Sequence, residues 1–421
     1  MRKSQPTIAI AGAGLSGLAC ARLLARAGLR FTLYEASSEV GGRVRSDKVD
    51  GFTLDRGFQL FLPAYPEARR VLDYEGLKLR PFYRGLDIFH KNRFHRLPDP
   101  FSHPLETLRH LGDDFISWRD RWFTLLMRKE AFSTHAVERR IVEMETEDYL
   151  RSFGFSEDFI DHFFRPFFGG AFLEKDLRTS VRVFLFLFSM FDKGGSAIPA
   201  HGMQAIPDQL AVALPPGSLR LNSPLASIRP GELTLETGEV VPADHIIVAT
   251  SEEAAFRLLP SQSNDKLLPG RATTCLYFST DQPLTNDPIL YVDGDNRGPV
   301  NHACVISKIS PDYAPPGQHL ISASVVGAAS SNELESVVRE QMVRWFGPGA
   351  QSWRHLRTYQ IRNAQPESRQ LRVGDGPLPA VVSPGLYRCG DYCEDVSING
   401  ALLSGRRAAE AVISALGPLG T

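Results

Sequence analysis

The sequence predicts an α/β fold, and three observations carry that prediction. A β-branched run, Thr7 to Ala11, leads into a glycine cluster and then an alanine-rich helical stretch. Ser218 to Ala249 returns to short apolar runs broken by turn signals at Arg229-Pro230-Gly231 and Thr237-Gly238. Further on, Ala272–Phe278, Ile289–Asp293, His302–Ser307 and His319–Val326 read as strands of a second sheet, followed by a helix near Glu333–Trp345 and a strand near Leu356–Arg362.

Length and composition bound the rest. At 421 residues the chain has room for two or three domains. With 43% hydrophobic and 23% charged residues it reads as globular, and a formal net charge of -1 argues against nucleic acid as a main partner. No apolar run approaches the roughly 20 residues that cross a bilayer. Cys20, Cys275, Cys304, Cys389 and Cys393 are odd in number and form no C-x-x-C, which fits reduced thiols in a cytoplasmic protein. No metal-ligand constellation and no Ser-His-Asp arrangement appears.

The first element is a strand with Ile8 and Ile10 at its centre. Gly12-Ala13-Gly14-Leu15-Ser16-Gly17 follows as G-x-G-x-x-G at a strand-to-helix junction, the helix continues through Leu18–Arg26, and Gly28 is placed to end it. A second strand, Phe31–Tyr34, ends in Glu35. Together these are a Rossmann-type dinucleotide-binding start. Gly12 allows the tight turn, Gly14 lets the backbone approach a pyrophosphate, and Gly17 lets helix and strand pack closely. Leu15 and Ser16 open a helix whose N–H groups and dipole favour phosphate. Glu35 stands where a carboxylate meets a ribose diol, about 20 residues past the glycines. Met1-Arg2-Lys3 before an apolar run also resembles a secretory signal, but a signal explains nothing after Gly28, so the stretch is expected to stay as the first strand.

Val40-Gly41-Gly42-Arg43-Val44-Arg45-Ser46 comes next, paired glycines and a guanidinium suited to a diphosphate. G-x-G-x-x-G, then E, then G-G-R-x-x-S resembles the flavin-containing amine oxidase superfamily, which includes monoamine oxidases, protoporphyrinogen oxidases and carotenoid desaturases, all FAD proteins. Three further stretches are similar to that family's motifs: Ala200–Pro207, with His201 in place of a usual glycine; Ala243–Thr250; and Cys389-Gly390-Asp391 with Gly400–Gly405. The resemblance implies that Ala36, Gly57, Phe58, Gln59, Leu225, Ala226, Ala249, Gly390, Asp391, Ile398, Asn399 and Ala401 join the glycines, Glu35, Gly42 and Arg43 around FAD. With no Cys around Glu367–Asp375, where monoamine oxidases attach their flavin, FAD is expected to be noncovalent. Because the motifs lie at both ends and in the middle, residues 1–66, 194–260 and 380–421 are expected to form the FAD domain. Residues 67–193 and 261–379 then form an inserted α+β substrate domain. Its first part reads as helical, for example over Glu138–Leu150.

Leu54–Pro66 is similar to the [DE]-x-G-x-H-x-F-x-x-A-Y-P run of phytoene and ζ-carotene desaturases, with Gln59 where those enzymes carry histidine. An amide there hydrogen-bonds but does not titrate near pH 7. The run either faces substrate or packs as a turn under the cofactor. The amine oxidase pattern fits less well, because Ser397-Ile398 stand near one aromatic-cage position and Thr274-Cys275 where a lysine belongs. Lys308 is the only nearby lysine in the stretches read as this second sheet, and its neighbours Ser307 and Ile309 define no role.

Phe153 to Phe191 holds twelve of the 26 phenylalanines, which read either as ordinary core or as the lining of a tunnel for a long hydrocarbon. A variant places Val183–Phe191, bracketed by Arg178, Arg182 and Lys193, at a membrane surface, with Phe184 and Phe188 in contact with lipid. Arg165 and His201 join Gln59 as candidate catalytic groups. The expected reaction is dehydrogenation of an apolar carotenoid- or prenyl-type substrate by hydride transfer to flavin. An amine oxidase, a flavin-dependent double-bond isomerase without net redox, and a non-catalytic FAD-binding protein remain alternatives.

Overall fold

A computed structural model describes residues 6–110, 112–132, 142–259, 267, 269–282, 284, 287–329, 333–367 and 377–417. Two sheets organise it. The six-stranded sheet runs, edge to edge, Val381–Ser383, Leu386–Arg388, His245–Val248, Ile8–Ala11, Thr32–Tyr34 and Leu219–Arg220. All its pairings are parallel except that between the first two strands in that order. Ile8–Ala11 is buried along its whole length, as a parallel strand covered on both faces requires.

The helix Leu15–Arg26 starts three residues beyond the first strand turn, and the last helix, Ile398–Leu416, lies across it. Their contact is intimate at one point: a Cβ on Gly405 would stand 2.1 Å from the Ser16 carbonyl oxygen. The chain therefore reaches this sheet in three separate passes.

The seven-stranded sheet runs Arg354–Gln365, Arg271–Thr280, His319–Val326, Val300–Val305, Leu290–Asp293, Gly85–His90 and Arg93–Pro98. Five of these strands fall where the sequence places them, although the third expected strand stops at Val305 and Ser307 belongs to a short helix, Ile306–Ile309. The helix Leu334–Phe346 also forms as expected. The other two strands correct the helical reading of residues 67–193. They form a hairpin whose turn, Lys91-Asn92, places both residues at positive φ, the backbone twist that two-residue hairpins favour.

A second correction concerns Glu138–Leu150. Residues up to 141 lie outside those described, Val142–Glu145 are not helical, and the helix starts at Thr146. The reason is an alternative set of partners. The Thr146 N–H and Oγ1 both donate to the Thr179 carbonyl, and the Val181 N–H donates to that of Met144. Those backbone groups are consumed before a helix turn can claim them.

Most of the phenylalanine-rich segment is core. Phe155, Phe159, Phe164, Phe168, Phe172 and Phe184 are buried, with edge-on contacts such as Phe168–Phe184 at 4.7 Å between centroids. The membrane-facing reading of the helix Val181–Gly194 is thereby corrected: Phe184 is fully enclosed, and Leu185, Leu187 and Met190 share its inward face. No helix among the described residues is long and apolar enough to cross a membrane.

Candidate functional site

Both sheets contribute to one cavity of about 1220 Å³. Its polar end is built by the first βαβ unit. Gly12 sits at φ +102° and donates its N–H to the Tyr34 carbonyl, while a Cβ there would meet the Ala249 oxygen at 2.8 Å. Gly14 forms an isolated bridge with Gly41, so the two glycine loops lie edge to edge as a floor. A Cβ on Gly14 would meet nothing within 4 Å, and the helix behind it has no side-chain cap. Open space in front of unsatisfied helix N–H groups is the shape that receives a phosphate. Glu35 is buried at the end of the second strand and accepts from the Ala13 N–H at 2.8 Å and the Ser37 N–H at 2.9 Å.

The structure brings most of the expected residues to this wall. Gly12, Gly14, Leu15, Ser16, Glu35, Ala36, Gly42, Arg43, Gly57, Phe58, Gln59, Leu225, Ala226, Ala249, Gly390, Asp391, Ile398 and Ala401 all line the cavity. Four others do not. Gly17 faces the strand, where a Cβ would lie 1.9 Å from the Gly12 oxygen. Asn399 is buried, accepting from the Glu67 N–H and donating to Asp395. Arg165 is held between Glu147 and Asp161 away from the cavity, and His201 is exposed beside Asp312 at 3.8 Å. Neither Arg165 nor His201 has a place in the site. Arg43 departs in a different way: its guanidinium is tied to Asp391 and to the Ala364 carbonyl.

The other end of the cavity is apolar. Phe58, Leu60, Leu62 and Tyr65 come from the turn after Asp55; Phe167 and Phe191 come from the aromatic segment; Leu187 and Leu290 complete it. Only those two of the twelve clustered phenylalanines reach the wall. Gln59 lies among these groups but spends its amide donor on the Arg43 and Arg56 carbonyls, at 2.8 and 3.3 Å. Asp55 anchors the turn from below. Its carboxylate accepts from Ser46, the Met203 N–H and Tyr313, and its carbonyl accepts from Tyr277. Burial nevertheless lifts its pKa to about 6, against those hydrogen bonds.

His302, which with Cys304 alternates with apolar residues and takes no firm role from the sequence, lines the cavity. Its ring packs on Phe58 at 4.7 Å, Nδ1 lies 2.9 Å from Asn301 Oδ1, and Nε2 has no partner. Burial pushes its pKa down to about 4, so the imidazole is neutral at pH 7. The available signal was weak: a histidine and a cysteine alternating with apolar residues on one strand. Lys308 lies on the short helix after that strand and not on the wall. Among the carboxylates that do line it, Asp47 is taken by Arg56 and Tyr359. His95, Asp113 and Asp114 converge elsewhere, with Asp113 and Asp114 paired with Arg93 and His95 bonded to Asp113.

Residues 15–413 match the family model described as flavin containing amine oxidoreductase. The chain belongs to this family. As a flavin containing amine oxidoreductase it is similar to protoporphyrinogen oxidase 2 of Arabidopsis thaliana, 23% identical with 97% of this chain and 94% of the relative covered. It is also 23% identical to the 15-cis-phytoene desaturase of Capsicum annuum, over 96% of this chain and 77% of that one. Among solved structures, an oxidoreductase from Methanosarcina mazei superposes with a TM-score of 0.74 at 19% identity, covering 96% and 100% of the two chains. That likeness is one of fold. Family membership makes this flavin containing amine oxidoreductase an oxidoreductase with a flavin cofactor.

Proposed function

We propose that the protein binds FAD noncovalently and dehydrogenates an apolar substrate of carotenoid or prenyl type. The observation that carries this reading is the single cavity, polar at the glycine loops and apolar beyond Phe58. At about 1220 Å³ it exceeds the roughly 300–1,000 Å³ of an ordinary ligand pocket, leaving room for a dinucleotide and a substrate together. The open space before Gly14 suits the diphosphate, Glu35 the ribose, and Leu225-Ala226 the adenine. The covalent attachment region expected around Glu367–Asp375 lies, beyond Glu367, outside the described residues.

The bound flavin would supply a two-electron acceptor for a hydride leaving the substrate. The chain's own work is positioning. Phe58, Phe167, Phe191, Leu187 and Leu290 exclude water and hold a hydrocarbon by burial. No lysine lines the cavity among the described residues, and the wall offers an ammonium group no unengaged carboxylate near the aromatic end. Both facts favour an apolar substrate over a simple amine.

A spectrum of the purified protein comes first, followed by anaerobic mixing with carotenoid precursors. Bleaching of the oxidised flavin band supports dehydrogenation. Product without bleaching points to isomerisation, and hydrogen peroxide formed from amines to an amine oxidase. Colourless protein that takes up no FAD removes the proposal.

A further inference from the structure

A second surface stands out well away from the glycine loops. The helix Trp118–Phe132 carries large apolar side chains on its solvent side as well as its inner one. Asp120, Met127 and Ala131 point inward, while Trp118, Trp122, Leu125 and Leu126 point out, with Trp118 70% and Trp122 60% exposed. Spacings of four, three and four residues, ending at exposed Lys129, put Trp118, Trp122, Leu125 and Lys129 on one stripe. Beside it, the short helix Pro104–Arg109 buries nothing and exposes Leu105 and Leu108. The two helices are neighbours: Arg121 donates to the His110 carbonyl at 3.2 Å, and Arg128 lies over the exposed Phe101 ring at 4.2 Å. Seven large apolar side chains thus form one outward patch, where most monomers show single scattered ones.

Charge decides what covers it. The exposed cations at its edge are Arg109, Arg119 and Lys129. The acids of the same stretch are already engaged: Glu106 by Tyr83 and Arg96, Asp113 by His95, Asp114 by Arg93, Asp120 by Ser117 and Ser156, and Glu130 by Tyr149. What remains is a tryptophan-and-leucine face with a cationic rim. A second copy meeting it face to face would set one cationic rim against another. An anionic lipid surface complements both the apolar and the charged parts, since tryptophan favours the headgroup level and each nearby cation adds attraction.

We propose that the helices Pro104–Arg109 and Trp118–Phe132 dock this protein on an anionic lipid surface. The patch replaces the face first expected around Phe184 and holds whatever the substrate is. The Trp118–Phe132 helix packs on Val181–Gly194, whose Leu187 and Phe191 line the cavity, so the docked face lies one helix away from the apolar end.

Flotation of the flavin-loaded protein with phosphatidylglycerol–phosphatidylcholine vesicles tests this against phosphatidylcholine alone. The wild type should float with the anionic vesicles and shift its tryptophan emission to the blue, because Trp345 and Trp353 are buried and Trp118 and Trp122 report. Trp118→Ser with Trp122→Ser should weaken partitioning by more than about tenfold, with flavin absorbance and far-ultraviolet dichroism unchanged. Arg119→Glu with Lys129→Glu should weaken binding to anionic vesicles selectively. A wild type that floats with neither vesicle, or a double tryptophan variant that floats equally well, overturns the proposal. So does a concentration-dependent dimer that the tryptophan variant abolishes, which would assign the patch to a second copy.

Discussion

Gly14 and Gly17 stand three positions apart, yet an added methyl group would meet opposite fates at the two. At Gly17 it would collide with the Gly12 carbonyl, a backbone atom that cannot swing aside, so Gly17→Ala should destabilise the fold by about 1–3 kcal/mol in denaturant unfolding. At Gly14 it would enter open space, so Gly14→Val should unfold close to the wild type when flavin-free but lose flavin on purification, read by absorbance. A second residue-scale expectation concerns Asp55, whose burial lifts its pKa from 3.8 to about 6. The native state therefore holds its proton longer than the unfolded chain does. Its contribution is complete below about pH 4, falls as pH rises from about 4 to 6, and is flat above that, a loss of about 2–3 kcal/mol. Urea titrations of wild type and Asp55→Asn between pH 4 and 7 should differ by that slope. The glycine loop and Glu35 were legible because tight turns and strand ends obey local rules. The Arg43–Asp391 pair and the orphaned Nε2 of His302 were not, since each depends on segments far apart in the chain.

Elements divide the aromatic segment in a way no single phenylalanine reveals. Phe167 and Phe168 are adjacent on the helix Arg165–Phe172, and one lines the cavity while the other is 1% exposed in the core. Phe168→Ala should cost about 3–5 kcal/mol in a thermal or denaturant melt. Phe167→Ala should leave stability nearer the wild type and instead raise KM for the apolar substrate. Composition drew attention to the segment, but a 100° step around a helix decides which ring does what. The same scale explains the missed hairpin. Gly85–His90 and Arg93–Pro98 lie in a stretch dominated by helical patterning, and their turn, Lys91-Asn92, lacks the glycine that usually advertises one.

At the scale of the molecule, residues from both sheets close the same cavity, so a cofactor held there ties them together. Saturating FAD should stabilise the fold by about 2.7 kcal/mol at a hundredfold excess over Kd and so raise the unfolding midpoint, and stripping the flavin should lower it again; calorimetry with and without added FAD measures this. Two sheets and a repeatedly visited first sheet were readable from motif order, because each motif carries its own strand. How the second sheet recruits residues 85–98 was not, because pairing partners leave no local mark. The three-pass topology has a further consequence for biosynthesis. The glycine loop leaves the ribosome early, but Gly390, Asp391 and the helix that clamps Ser16 through Gly405 emerge hundreds of residues later. Until then His245–Val248 is an open edge beside a half-built nest. Coenzyme capture thus becomes a checkpoint for a finished polypeptide, and chains stalled before residue 386 should be colourless and prime targets for proteolysis.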